Sequence, residues 1–154
     1  MIYQLKREQV LKSDSETIWN FVSSPKNLPR ITPTYMNFNI TSKDLKDDMY
    51  PGMLISYTVT PVLGIAMSWL TEITHVSDKK YFVDEQRYGP YAMWHHQHFI
   101  EPHKDGILMT DIVTYKMPLG ILGRIAHWLF VKRQLNSIFN YRFQKMEEIF
   151  NSNK

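Results

Sequence analysis

The sequence predicts an α+β protein: a strongly curved antiparallel sheet of six or seven strands wrapped around one long C-terminal helix, with two short helices after the first strand. Three observations carry this. Apolar and polar residues alternate in short runs between Met36 and Met117, and turn-forming residues separate the runs. After Pro118 the apolar spacing lengthens to the i+3/i+4 steps of a helix. Near the N-terminus, capping residues and then Pro25, Pro29 and Pro33 follow the first strand-like run.

Taken in order, residues 2–12 read as a strand. Ser13 stands three residues before Glu16, which suits a capping box at the start of a helix burying Ile18, Trp19 and Val22. The prolines beyond leave room for one more short helical turn. Met36, Phe38 and Ile40 begin the period of two, and Lys43 to Pro51 is charged and turn-like. Met53, Ile55, Tyr57 and Val59 share a strand face, as do Ile65, Met67, Trp69, Thr71 and Ile73 after a turn at Pro61–Gly64. A further turn at Ser77–Lys80 leads to Phe82, Asp84, Gln86 and Tyr88 on one face, and Gly89-Pro90 ends that run.

The most informative segment comes next. Trp94-His95-His96-Gln97-His98-Phe99, the turn His103-Lys104-Asp105-Gly106 and the run Leu108–Met117 read as a hairpin. A turn of even length near Lys104 and Asp105 sets Trp94, His96 and His98 on one face with Asp111, Val113 and Tyr115. A two-residue turn at Asp78-Lys79 sets Ile73 opposite Asp84 and Thr71 opposite Gln86, bringing Asp84, His98 and Asp111 into a row across three strands. Glu72, Glu85, Arg87, Gln97, Thr110, Thr114 and Lys116 collect on the other, solvated face.

The closing helix is predicted from about Ile121 to Phe150, roughly 45 Å long at 1.5 Å per residue. Its apolar stripe is Leu122, Ile125, Leu129, Leu135, Ile138, Phe139, Arg142, Met146 and Ile149. A helix of this length needs a long curved sheet to lie on. Residues 1–150 are expected to form one domain and 151–154 a disordered tail.

Composition bounds the function. The chain has 154 residues, enough for one substantial core. Nine Met and four Trp suit an adaptable apolar interior. Eighteen Lys and Arg against 15 Asp and Glu give +3, too little to argue for nucleic acid, and no nucleic-acid motif is present. The absence of Cys excludes disulfides and thiol nucleophiles and fits a cytoplasmic protein. Lys6, Arg7 and Glu8 interrupt the first residues, against a signal peptide. The apolar run Leu119–Val131 contains Arg124 and His127 and is too short to span a bilayer, so no stable membrane insertion is expected.

Order and local motifs together resemble the helix-grip fold of the SRPBCC superfamily, which includes START lipid-binding domains, polyketide cyclases and the birch-pollen allergen. The resemblance spans nearly the whole chain. It is most specific at Trp69-Leu70-Thr71-Glu72-Ile73, Phe82-Val83-Asp84-Glu85-Gln86, Gly89-Pro90-Tyr91, Trp94-x-His96-x-His98 and Asp111-x-Val113-x-Tyr115-x-x-Pro118-x-Gly120. These are similar to a bacterial subgroup described as SRPBCC or cyclase/dehydrase-like. The resemblance implies a deep, largely apolar cavity between sheet and helix, and no single reaction.

The site residues follow from the predicted faces. Tyr57, Trp69, Tyr88, Trp94 and Tyr115 supply aromatic walls; Asp84, Gln86, His96, His98 and Asp111 supply polar groups; Leu122, Ile125 and Leu129 close the space from the helix. His96 and His98, with Asp111 as third ligand, have the spacing of a strand-borne metal site, but hydrogen-bonded histidines of a cavity wall are the expected reading, with no metal and no cofactor. His98 with Asp111, or with Asp84, is the candidate catalytic pair for a cyclase or dehydratase. Binding of a small hydrophobic molecule, as carrier or sensor, is the leading expectation. Lipid transfer at membrane surfaces is a further alternative, which the basic residues Arg124, Lys132, Arg133, Arg142 and Lys145 allow. Leu119–Gly123 reads equally as a movable lid or a packed turn, and residues near Trp128 and Phe130 as lid, core or dimer contact.

Overall fold

The computed structural model describes residues 1–62 and 64–152. Seven strands form one antiparallel sheet in the order β1-β7-β6-β5-β4-β3-β2. They are β1 (Ile2–Leu11), β2 (Asn39–Ile40), β3 (Met53–Val62), β4 (Ile65–Ser77), β5 (Tyr81–Tyr88), β6 (Met93–His103) and β7 (Gly106–Lys116). Consecutive strands pair from β2 to β7, and β1 returns to pair with β7, Leu5 opposite Val113 and Arg7 opposite Asp111. Of the turn expected at Pro61–Gly64, Pro61 and Val62 belong to β3, and Leu63 lies outside the described residues.

The first helix, α1 (Ser15–Val22), is capped by Asp14 rather than Ser13. The Asp14 carboxylate accepts from the Thr17 backbone N–H at 2.8 Å and from the Thr17 hydroxyl at 2.8 Å. An ionised acceptor at the helix start also meets the positive end of the helix dipole, which a serine hydroxyl does not. Two 3₁₀ segments, Pro25–Ile31 and Thr34–Met36, occupy the proline-broken stretch.

The β6–β7 hairpin has the register its turn chemistry implies: His103 opposite Gly106, His98 opposite Asp111, His96 opposite Val113 and Trp94 opposite Tyr115. Gly106 adopts φ 140°, and a Cβ there would stand 2.2 Å from the Leu11 carbonyl oxygen. Between β4 and β5 the expected pairs Ile73–Asp84 and Thr71–Gln86 form by another route. The loop holds three residues, since Ser77 pairs with Tyr81, and an extra residue at Thr74 restores the register. A second irregularity, at Arg87, pairs Tyr88 with Leu70 and turns Tyr88 outward, where it is 66% exposed. On the outer face Thr110 is buried, not solvated as expected; its cross-strand neighbours are Phe99 and Glu8.

The C-terminal helix is continuous but not uniform. It comprises α2 (Gly120–Ala126), a π-helical turn (His127–Val131) and α3 (Lys132–Phe150). Its buried stripe runs Gly123, His127, Val131, Leu135, Phe139 and Met146. Steps of four residues drift around an ideal helix of 3.6 residues per turn, and the wider π turn keeps them aligned. Gly123 makes the first contact, with its backbone so near Pro118 that a Cβ would lie 1.9 Å from the carbonyl oxygen. Leu122, Ile125 and Leu129 therefore project away from the sheet, a correction to the predicted stripe. At the far end, Asn151 accepts from the Lys12 N–H at 2.7 Å and donates to the Val10 carbonyl at 2.9 Å. The remainder of the expected tail, 153–154, lies outside the described residues.

Two apolar clusters fill the space between sheet and helix. One joins α1 to the sheet through Trp19, Ile55, Ile73, Phe82 and Ile100 and reaches Met146. The other joins β1 and the middle of the sheet to Val131, Leu135 and Phe139 through Leu5, Trp69, Trp94 and Val113.

Candidate functional site

A cavity of about 150 Å³ lies between the concave sheet face and α3. Alternation along β3 to β6 points Ile55, Tyr57, Val59, Trp69, Thr71, Ile73, Phe82, Asp84, Trp94, His96 and His98 at it. The helix adds Leu135, Ile138, Phe139 and Arg142, and the 3₁₀ region and its neighbours add Ile31, Met36 and Phe38.

The walls are aromatic. Tyr57 lies against Phe38 at 4.8 Å between ring centroids and against Trp69 at 5.8 Å, while Trp94 meets Trp69 edge-on at 5.4 Å. The Tyr57 hydroxyl pairs with that of Thr71 at 2.9 Å, and burial raises its pKa, so the phenol stays protonated.

The polar floor is a closed ring of two imidazoles and two carboxylates. His98 Nε2 approaches Asp84 Oδ2 at 2.9 Å, and His98 Nδ1 approaches Asp111 Oδ1 at 2.8 Å. His96 Nε2 approaches the same Asp111 oxygen at 2.9 Å, and His96 Nδ1 stands 3.5 Å from Asp84 Oδ2. Strand alternation places both histidines inward, and the Asp84 and Asp111 positions on the flanking strands complete the ring. Phe82 stacks on His98 at 4.0 Å, and Phe139 meets His96 edge-on at 5.6 Å. Arg142 Nη1 lies 3.7 Å from Asp111 Oδ1.

Burial alone would raise both carboxyl pKa values, but their partners reverse this. For Asp84 the opposing influences are the charge of His96 and the hydrogen bond and charge of His98; for Asp111 they are the hydrogen bond from His96 and the close approach and charge of His98. Asp111 is held well below the usual carboxylate range, and Asp84 is also lowered. Burial and the neighbouring charge of His98 lower His96. For His98 burial is outweighed by the carboxylates of Asp111 and Asp84 beside its two ring nitrogens, so its pKa is raised. These directions rank the four groups: both carboxyls are held ionised, His98 is the imidazole that keeps its proton longer, and His96 is the one that gives it up first. When His98 carries its proton, Arg142 brings the formal charges of the group to zero, which is how a buried charged cluster is tolerated.

Asp84, His96 and His98 can each offer a ligand atom within 4.8 Å of the others, a spacing that could hold a metal ion. The same ring nitrogens face Asp84 and Asp111 in the hydrogen-bonded ring, so a metal would have to displace the protons that hold it together.

The sequence-predicted residues thus divide. Tyr57, Trp69, Asp84, Trp94, His96 and His98 line the cavity. Asp111 sits behind the histidines. Gln86 donates from Nε2 to the Tyr91 carbonyl at 2.7 Å and accepts from the Tyr91 N–H at 3.2 Å, fixing the β5–β6 connection. The Tyr115 hydroxyl bonds His127 Nε2 at 2.8 Å and ties sheet to helix. Burial pushes the Tyr115 phenol up to about 12 and, with Lys132, lowers His127, so the phenol donates to a neutral imidazole. Tyr88, Leu122, Ile125 and Leu129 are on the surface. Arg142 was not among the predicted site residues, although a charge at position 142 on an otherwise apolar stripe was a legible sign.

Among the described residues, three buried side-chain atoms lack a hydrogen-bond partner: Trp69 Nε1, Arg142 Nε and His98 Nδ1. The last is close to Asp111 but out of line with it. The first two belong to cavity-lining residues and are donors.

No protein-family model matches the chain, and no curated protein matches its sequence. Solved structures match over almost its full length. A protein from Chromobacterium violaceum gives a TM-score of 0.72 at 10% identity, covering 98% of this chain and 99% of that one. Ginseng major latex-like protein 151 from Panax ginseng gives 0.69 at 13% identity over 97% and 98%. A Thermus thermophilus protein gives 0.66 at 15% over 95% of each. The chain has a helix-grip-like fold. At these identities the likeness is one of fold alone, and the helix-grip cavity is the feature on which a functional reading is built.

Proposed function

We propose that the protein binds a small, largely apolar molecule carrying one hydrogen-bond acceptor, as a carrier or sensor, in the helix-grip cavity. One observation carries this: an aromatic-walled space ends in a polar floor, and two of its lining residues hold buried donors, Trp69 Nε1 and Arg142 Nε, that have no protein partner. An acceptor on the bound molecule would satisfy them. The volume sets the size. About 150 Å³ is comparable to an apolar cavity that takes up benzene, and smaller than the roughly 300–1,000 Å³ of pockets for drug-sized ligands. A single ring fits this space better than a two-chain lipid does, which weighs against lipid transfer.

Calorimetric titration with benzonitrile and toluene tests the reading. The two have similar size, and only the nitrile accepts a hydrogen bond. Benzonitrile is expected to bind more tightly by about 0.5–1.5 kcal/mol. Arg142→Met combined with Trp69→Phe should erase that difference and leave toluene binding in place. Failure of both probes to bind would reject the proposal.

The cyclase or dehydratase alternative finds support in His96, His98 and Asp84 reaching the cavity. A His98 whose pKa is raised by the carboxylates beside it suits proton donation better than proton abstraction, so an enzymatic role would use it as an acid. His98→Ala should then abolish turnover while retaining binding, whereas equal loss of both favours the binder.

A further inference from the structure

The first part of the C-terminal helix wears its apolar stripe outward. Ile121, Leu122, Ile125, Trp128 and Leu129 are 72, 69, 50, 80 and 58% exposed, and Leu119, just before the helix, is 77% exposed. Their spacing is that of an amphipathic helix, while the inward positions belong to Gly123, His127 and Val131. Met1 and Ile2, at the start of β1, are also exposed, and Met1 borders the same groove as Ile121, Ile125 and Trp128. A continuous exposed patch of this kind marks an interaction surface.

Charge selects the occupant. Residues 112–146 contain six Lys or Arg and no Asp or Glu. Arg124 and Lys132 border the groove beside the stripe together with Lys6 and Arg7, and Arg133 follows directly. A second copy meeting this face across a two-fold axis would set like charges together. An anionic bilayer meets it with the opposite charge, takes the apolar side chains into the headgroup boundary, and suits an indole at the interface. We infer that this helix face docks the protein on membrane surfaces rich in anionic lipid. The inference is independent of the cavity reading, because none of the stripe residues lines the cavity.

Co-sedimentation tests it, using vesicles of phosphatidylcholine alone and vesicles in which a third of the lipid is phosphatidylglycerol. The protein should bind the mixed vesicles at low salt and remain largely free with the neutral ones. Trp128 emission should shift to the blue on binding; the other three tryptophans are already buried. Leu122→Ser with Trp128→Ser changes only exposed residues and should cut binding about tenfold or more. Arg124→Glu with Lys132→Glu should abolish the preference for anionic vesicles. Background binding to both vesicle types would overturn the inference, as would variants that bind like the parent. So would a dimer in sedimentation velocity that Trp128→Ser dissolves, since that assigns the stripe to a second copy.

Discussion

Asp111 is a buried carboxylate with both imidazoles on one of its oxygens and Arg142 behind it. Removing its charge leaves a protonated His98 with one carboxylate instead of two. Asp111→Asn is therefore expected to cost roughly 3–5 kcal/mol at neutral pH, measured by urea unfolding. The pH dependence follows from the signs. Asp84 and Asp111 have lowered folded pKa values, so their contribution is present above about pH 4, the unfolded value, and is lost as pH falls through the folded ones. His98 is raised, so its contribution is full below about pH 6.5 and is lost as pH rises through its folded value. His96 is lowered and acts oppositely: it costs stability as pH falls below about 6.5. Asp111→Asn should also flatten the acid limb below pH 4. Nitrogen-detected NMR of the ring atoms should find His98 titrating above the ordinary histidine value and His96 below it. Titration of both near that value would dismiss the charge arrangement. The row of Asp84, His98 and Asp111 was legible because strand alternation and the turns at Asp78-Lys79 and Lys104-Asp105 fix which side chains share a face. The role of Asp111 as a support behind the histidines, and of Arg142 as the cation beside its carboxylate, was not. The first depends on depth below the cavity surface and the second on how the helix lies across the sheet, neither of which alternation encodes.

At the scale of elements, the C-terminal helix separates what periodicity can and cannot reveal. The sequence contains two stripes over its first half. Leu122, Ile125 and Leu129 form the more hydrophobic one, so a pattern of apolar residues selects it. The structure buries Gly123, His127 and Val131 instead. Gly123 allows the helix backbone to touch Pro118, and His127 meets Tyr115 and stacks on Tyr3 at 3.6 Å. Close approach and one hydrogen bond outweigh side-chain hydrophobicity here. Gly123→Ala should destabilise the fold by about 1–3 kcal/mol through overpacking, read as a lowered unfolding midpoint. Tyr115→Phe leaves His127 Nε2 without its donor and should cost roughly 1–3 kcal/mol with cavity binding unchanged. A loss of binding without a loss of stability would return Tyr115 to the ligand site. The outward turn of Tyr88 has a similar origin: the irregularity at Arg87 adds a residue to one strand, and a period-two reading has no signal for it.

For the molecule as a whole, one helix serves two surfaces. Its second half walls the cavity with Leu135, Phe139 and Arg142, and its first half carries the exposed stripe. Salt should distinguish them. Vesicle binding draws on exposed cations and should weaken steeply as ionic strength rises. Benzonitrile binding occurs among charges that already balance and should change little. Parallel salt titrations of the two equilibria check this, and equal sensitivity would imply that they share a site. The central claim concerns the cavity, and a crystal of the protein soaked in 4-bromobenzonitrile addresses it most directly. The expected result is anomalous density for bromine between sheet and α3, with the nitrile nitrogen accepting from Trp69 Nε1 or Arg142 Nε. A cavity without the probe, and both donors still unpaired, would contradict the account.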